Sequence, residues 1–228
     1  MNCSSYPLSW GEPTIKFAED NLCGWVVQPA NTWSNLTYLV IALLISWDLS
    51  KTANRNKVLW GFPVVASIIG LSSGFYHASA SFVGQFLDFA SIYILGAYLI
   101  YLVLSRRQIK QIYLLYLLGL LISTLLLTLW SFPFLRIWLA FGLLFCLIYL
   151  ELKSPLKPAT FKNLYFALGF LALAFIPWLL DLFYIWDLDS LEHWVNGHAI
   201  WHIVNSISIY FGFRHYSQPL VKDYQKHV

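Results

Sequence analysis

The stretch Ile112-Tyr113-Leu114-Leu115-Tyr116-Leu117-Leu118-Gly119-Leu120-Leu121-Ile122-Ser123-Thr124-Leu125-Leu126-Leu127-Thr128-Leu129-Trp130 contains no Asp, Glu, Lys, Arg or His. As a helix it rises ~28 Å at 1.5 Å per residue, close to the thickness of a bilayer's hydrocarbon core. Comparable apolar runs flank it on both sides, at about 32–49, 58–80, 86–104, 134–151, 162–180 and 193–213. With 59% hydrophobic and only 11% charged residues, the chain lies outside the range of soluble globular proteins. The expected fold is therefore all-α: a polytopic membrane protein of seven transmembrane helices over residues 32–213, with an extramembrane N-terminal segment (1–31) and a C-terminal tail (214–228). No internal repeat is visible, so the helices are expected to be held by individual packing.

Orientation follows from the basic residues, because short loops rich in Lys and Arg stay in the cytoplasm. The loop after the first run holds Lys51, Arg55 and Lys57, that after the third Arg106, Arg107 and Lys110, and that after the fifth Lys153, Lys157 and Lys162. The tail adds Arg214, Lys222 and Lys226, whereas the opposite side has only Lys16 and Arg136. This predicts the N-terminus outside and the C-terminus cytoplasmic. The net charge of +3 is spread over these loop clusters and reports topology, so no nucleic-acid partner is expected. Nothing in the sequence bears on protein partners. Cys3, Cys23 and Cys146 are too scattered for a disulfide framework or a thiolate metal site. Cys3 and Cys23 can pair on an oxidising side, or all three can remain free thiols. The first thirty residues include Trp10, Glu12, Lys16, Glu19 and Asp20 and lack an apolar core, so the first spanning helix, rather than a cleaved signal peptide, is expected to direct insertion.

Against this background, ionisable residues inside the runs stand out. An aspartate at mid-helix costs ~3 kcal/mol on insertion scales, so such groups are functional candidates. In Asn196-Gly197-His198-Ala199-Ile200-Trp201-His202 two histidines four residues apart share one helix face and can reach one metal ion. His77 lies near the outer end of the second run and Asp88 near the outer start of the third, which places all four at one depth. Three imidazoles leave a fourth position for water, the ligand count of a catalytic zinc site. Zinc acidifies such a water, and Asp88 is placed to orient it or take its proton. Ser73, one turn before His77, can donate to the oxyanion of a tetrahedral intermediate, though small hydroxyl residues also occur simply where membrane helices touch. His193, His215 and His227 fall at helix ends or in the tail and read as solvated. Asp181 reads either as a membrane-surface residue or as an outer partner of the site.

Ser73-x-x-x-His77, Asp88 and Gly197-His198-x-x-Trp201-His202, together with Trp10-Gly11-x-x-Thr14 and Asn31-Thr32-x-Ser34-Asn35, resemble the alkaline ceramidases, within the superfamily that includes the progestin and adipoQ receptors. The resemblance runs through nearly the whole chain. It implies a seven-helix zinc amidase that hydrolyses the N-acyl bond of ceramide, or a ceramide-like lipid, to a sphingoid base and a fatty acid. It further implies His77, His198 and His202 as zinc ligands, with Ser73 and Asp88 at the water and the scissile carbonyl, and an N-terminal segment packed near the site. In that family the segment often holds calcium. Here Glu19 and Asn21 match, with Asp20 beside them, but Lys16 and Gln28 stand where carboxylates are expected. Calcium favours several anionic oxygens, so the expectation is a degenerate site that holds calcium weakly or not at all, with Lys16 filling its place electrostatically.

A lipid receptor of the same superfamily with little or no hydrolysis is the competing reading, and bis-histidine haem binding is a third. A retinal pump is disfavoured because no lysine lies within a run to form a Schiff base. The compact chain points to a bacterial member in the inner membrane, multi-pass, with its active site toward the non-cytoplasmic side; an endomembrane home, its outer side the lumen, is the alternative.

Overall fold

The computed structural model describes residues 10–51, 57–107, 109–155, 157–185 and 193–218. Among them every regular element is helical and none is a strand. A short helix α1 (Pro29–Ser34) precedes α2 (Leu36–Ser50), followed by a 3-10 turn at Lys57–Trp60 and α3 (Gly61–Ser79). Then come α4 (Phe82–Ser105), α5 (Gln111–Ser131), a 3-10 turn at Pro133–Leu135, α6 (Arg136–Leu152), α7 (Lys162–Leu182) and α8 (Gly197–Tyr216).

Five of these segments are long and apolar enough to cross a membrane: Lys57–Ser79, Phe82–Ser105, Gln111–Ser131, Pro133–Leu152 and Lys162–Leu182. The first and last predicted runs fall short for different physical reasons. The first is interrupted at Asn35, whose side-chain amide turns back to the Asn31 carbonyl at 2.7 Å. This leaves α2 with 15 residues, ~22 Å of helix, short of the ~30 Å hydrocarbon core unless α1 extends it. The last helix is long enough, but His198, His202, Asn205, Ser206 and Ser208 dilute its apolar character. It also runs on to Tyr216, so the first residues of the predicted tail belong to it.

The chain divides into two compact units, Met1–Asp88 with Lys162–Phe213, and Phe89–Phe161 with Arg214–Val228. In the second unit α5 turns Leu120 and Leu127 outward, each 68% exposed. Apolar side chains displayed in this density suit lipid tails, not water. Several polar groups there are paired. Tyr93 donates to the Arg136 carbonyl at 3.0 Å, and the Arg136 guanidinium donates to the Pro133 carbonyl at 2.6 Å. Glu151 takes both Arg106 and His215 at 2.8 Å. His215, expected to be solvated, is fully buried against this carboxylate and stacks on Phe161; the helix carries it further than the apolar run indicated. His227 and Cys3 lie outside the described residues.

The first unit holds the candidate site, and its irregular N-terminal segment is organised by helix ends. The last carbonyls of a helix lack partners within it. At the end of α3, Val27 N–H donates to the Ala78 carbonyl and Gln28 N–H to the His77 carbonyl, each at 3.1 Å, while Ala80 closes the helix in a left-handed conformation (φ 44°). At the start of α4, Phe82 N–H donates to the Gly11 carbonyl at 3.0 Å. Gln85, buried on α4, accepts from both the backbone and the hydroxyl of Thr14 at 2.9 Å and donates to the Tyr76 hydroxyl at 3.0 Å. The segment therefore has a defined path without being helical. Cys23 within it is disulfide-bonded, while Cys146 on α6 is a free, exposed thiol.

Candidate metal centre

Helices α3 and α8 bring His77, His198 and His202 together. Their rings are 0%, 4% and 2% exposed, with centroids 4.8 Å apart for His77 and His198, 5.2 Å for His77 and His202, and 4.5 Å for His198 and His202. One nitrogen from each lies within 4.8 Å of the other two, and the Nε2 atoms of His77 and His198 approach to 3.1 Å. Residues more than a hundred positions apart in sequence thus meet within the reach of a single ion.

Protonation of two of the rings follows from their outer partners. Gln28 donates its Nε2 to Asn21 Oδ1 at 3.0 Å and to the Glu19 carbonyl at 3.4 Å, so its Oε1, 2.7 Å from His77 Nδ1, accepts. Ser34 gives its hydroxyl proton to the Asn31 carbonyl at 3.0 Å, so its Oγ, 2.8 Å from His202 Nδ1, likewise accepts. A neutral imidazole carries one N–H. With Nδ1 as donor in both rings, Nε2 of His77 and Nε2 of His202 are bare lone pairs facing the cluster. His198 differs: its buried Nδ1 has no partner, and Phe17 stacks flat on the ring at 3.7 Å between centroids. Buried nitrogens converging from three rings, two of them bare and oriented from behind by a carboxamide or hydroxyl group, form a donor set that fits a divalent ion accepting imidazole.

The remaining predicted residues are distributed around this point. Ser73, buried on α3, holds its Oγ 3.4 Å from His202 Nε2. It also hydrogen-bonds the side chain of Asp88, which is half-buried in the second turn of α4. Asp88 therefore meets the cluster by way of Ser73. Asp181, left open between two readings, is fully buried at the end of α7. One carboxylate oxygen accepts Ala18 N–H at 3.0 Å and the other His198 N–H at 3.1 Å, and Gly197 N–H donates to it as well. The Gly197 and His198 amides are donors at the start of α8 that the helix cannot satisfy itself, and the third amide comes from the N-terminal segment. Gly197 permits the approach: a Cβ there would meet Asp181 Cβ at 2.9 Å and the Pro177 carbonyl oxygen closer still.

Glu19, Asn21 and Asp20 do not converge on an open position. Both oxygens of buried Glu19 are occupied by donors, Oε1 by Ala30 N–H at 2.9 Å and His193 at 3.3 Å, Oε2 by Asn31 N–H at 2.9 Å and Asn196 at 3.2 Å. Burial pushes the Glu19 carboxyl above the usual carboxylate range, and the Asn31 and Ala30 amides and His193 pull it back. Asp20, Asn21 and Lys16 are exposed. The cationic neighbour of Glu19 is thus His193, when protonated, in place of the expected Lys16; His193 is tethered there and is not simply solvated. Phe17 and the outer role of Gln28 had no signal in the sequence. Ser34 and Asn35 stood out only through the family resemblance.

Three buried imidazoles that could hold a metal ion lie beside a serine and a carboxylate, in a chain whose apolar helices fit a multi-pass membrane protein. A family model described as Ceramidase matches residues 14–226, and the chain belongs to the ceramidase family. Alkaline ceramidase 1 of Mus musculus is 32% identical over 89 residues, 39% of this chain. The matched stretch spans only 31% of that relative's length.

Proposed function

We propose that the protein is a zinc-dependent intramembrane amidase that hydrolyses the N-acyl bond of ceramide or a ceramide-like lipid to a sphingoid base and a fatty acid. The observation that carries this reading is the convergence of three buried imidazoles, two of them with bare Nε2 lone pairs fixed by Gln28 and Ser34. His77, His198 and His202 would hold the ion. Bound there, zinc would supply Lewis acidity, acidifying a water and polarising an amide carbonyl. Asp88 takes the proton of the attacking water and returns it to the leaving nitrogen, a role that suits a carboxylate held by a serine hydroxyl. Ser73 Oγ, beside His202 Nε2, is positioned to donate to the carbonyl oxygen as it gains charge.

In this reading the chain crosses the membrane seven times, α1 with α2 forming the first pass and α8 the last. The N-terminus lies outside, the C-terminus is cytoplasmic and the centre lies in the non-cytoplasmic leaflet of a bacterial inner membrane. Basic loops on one side support this orientation, and the disulfide at Cys23 supports an oxidising compartment for the N-terminal segment.

Purified protein incubated with acyl-labelled ceramide is expected to release labelled fatty acid, with the release abolished by a zinc chelator and in His198→Ala. Ligand binding that survives metal removal, with no fatty acid released by the intact protein, would replace the amidase with a receptor.

A further inference from the structure

Gln28 joins two hydrogen-bond systems that the sequence gives no reason to connect. It is 8% exposed. Its backbone N–H closes the end of α3 on the His77 carbonyl at 3.1 Å, and its Oε1 accepts the Nδ1–H of the same histidine at 2.7 Å. Its Nε2 points the other way, into Asn21 Oδ1 at 3.0 Å and the Glu19 carbonyl at 3.4 Å. Only a carboxamide offers an acceptor at one end and two donors at the other.

The family pattern places a carboxylate at this position as part of a calcium site. The residues present do not fit that ion. Glu19 spends both oxygens on four N–H donors, Asp20 is exposed, and the oxygens of Asn21 and of the Glu19 backbone already receive the Gln28 amide.

We infer that Gln28 is a positioning residue for the metal centre, fixing His77 in the Nδ1–H form and anchoring it to Asn21 and Glu19 by an amide, without calcium. The inference rests on the metal reading above. Outer partners of this kind orient an imidazole and raise its basicity, and losing one costs about 10–100-fold in metal affinity. The amide also explains how the oxygen cluster is stable. A carboxylate in its place would still accept from His77, but would set its second oxygen against Asn21 Oδ1 and the Glu19 carbonyl with no proton between them. Such an arrangement is satisfied by a hard cation.

The test uses the full-length protein in detergent, stripped of metal and titrated with zinc against a chelating dye, with thermal unfolding recorded with and without millimolar calcium. Wild type is expected to bind one zinc and to unfold at the same temperature in either condition. Gln28→Leu should bind zinc about 10–100-fold more weakly. Gln28→Glu should regain near wild-type zinc affinity only with calcium present, and its unfolding temperature should rise with calcium. Zinc binding by Gln28→Leu as tight as wild type, or calcium stabilisation of wild type, would overturn the inference. Should Gln28→Leu fail to fold, a Gln28→Glu protein indifferent to calcium would overturn it equally. A wild-type protein that binds no zinc would instead sink the metal reading, visible in that arm alone.

Discussion

In the proposed amidase Ser73 and Asp88, which hydrogen-bond each other, divide two tasks. If Ser73 donates to the developing oxyanion, Ser73→Ala should lower kcat by ~10²–10³. If Asp88 moves the proton, Asp88→Asn should lower kcat by ~10²–10⁴. Neither carries a ligand nitrogen, so metal content measured on the same preparations should stay at the wild-type level; loss of metal would turn either residue into a structural one. The histidines were legible in the sequence because a charged or polar ring in an apolar helix is expensive, and two at i and i+4 have no packing explanation. Phe17, Gln28 and Ser34 were not, although each touches one of those rings. Two of them belong to a segment with no helical period, where position is set by partners distant in sequence and not by spacing.

At the scale of elements, the start of α8 is a three-body junction. Asp181 from α7 holds the amides of Gly197, His198 and Ala18. Removing the carboxylate with Asp181→Ala leaves buried N–H groups unsatisfied, each costing about 1–3 kcal/mol. Thermal unfolding should record that loss, and metal content should fall with it because His198 starts the same helix. Gly197→Ala should cost ~1–3 kcal/mol by overpacking against Pro177 and Asp181; a variant as stable as wild type would mean that α7 and α8 approach less closely. These contacts escape sequence reading for a plain reason. A glycine before a histidine looks the same whether it caps a helix or admits a neighbour, and only the partner helix distinguishes the two. Helix lengths were legible to within a few residues where runs are uniformly apolar, as in α5. They were least legible where function replaces apolar residues, as in α8, or where a side chain competes for backbone bonds, as at Asn35.

Among the described residues five helices are apolar and long enough to span a bilayer, and two that fall short carry or touch the site. Polar groups are tolerated in a membrane when they are buried in protein, and both histidines of α8 are buried. The proposed orientation predicts that, in spheroplasts, an added protease cleaves a site inserted near Gly24 while an epitope placed after Val228 is spared; the reverse pattern would contradict it. The same orientation places the centre next to the outer interface, where a lipid amide lies.

X-ray absorption at the zinc edge tests the shared ion most directly, on purified wild type and on His77→Ala, His198→Ala and His202→Ala. Wild type is expected to hold one zinc per chain with three imidazole nitrogens at about 2.0–2.1 Å, and each variant to lose the ion or one imidazole shell. A stoichiometric metal whose spectrum is unchanged by all three substitutions, or a fully active protein without one, would contradict the account.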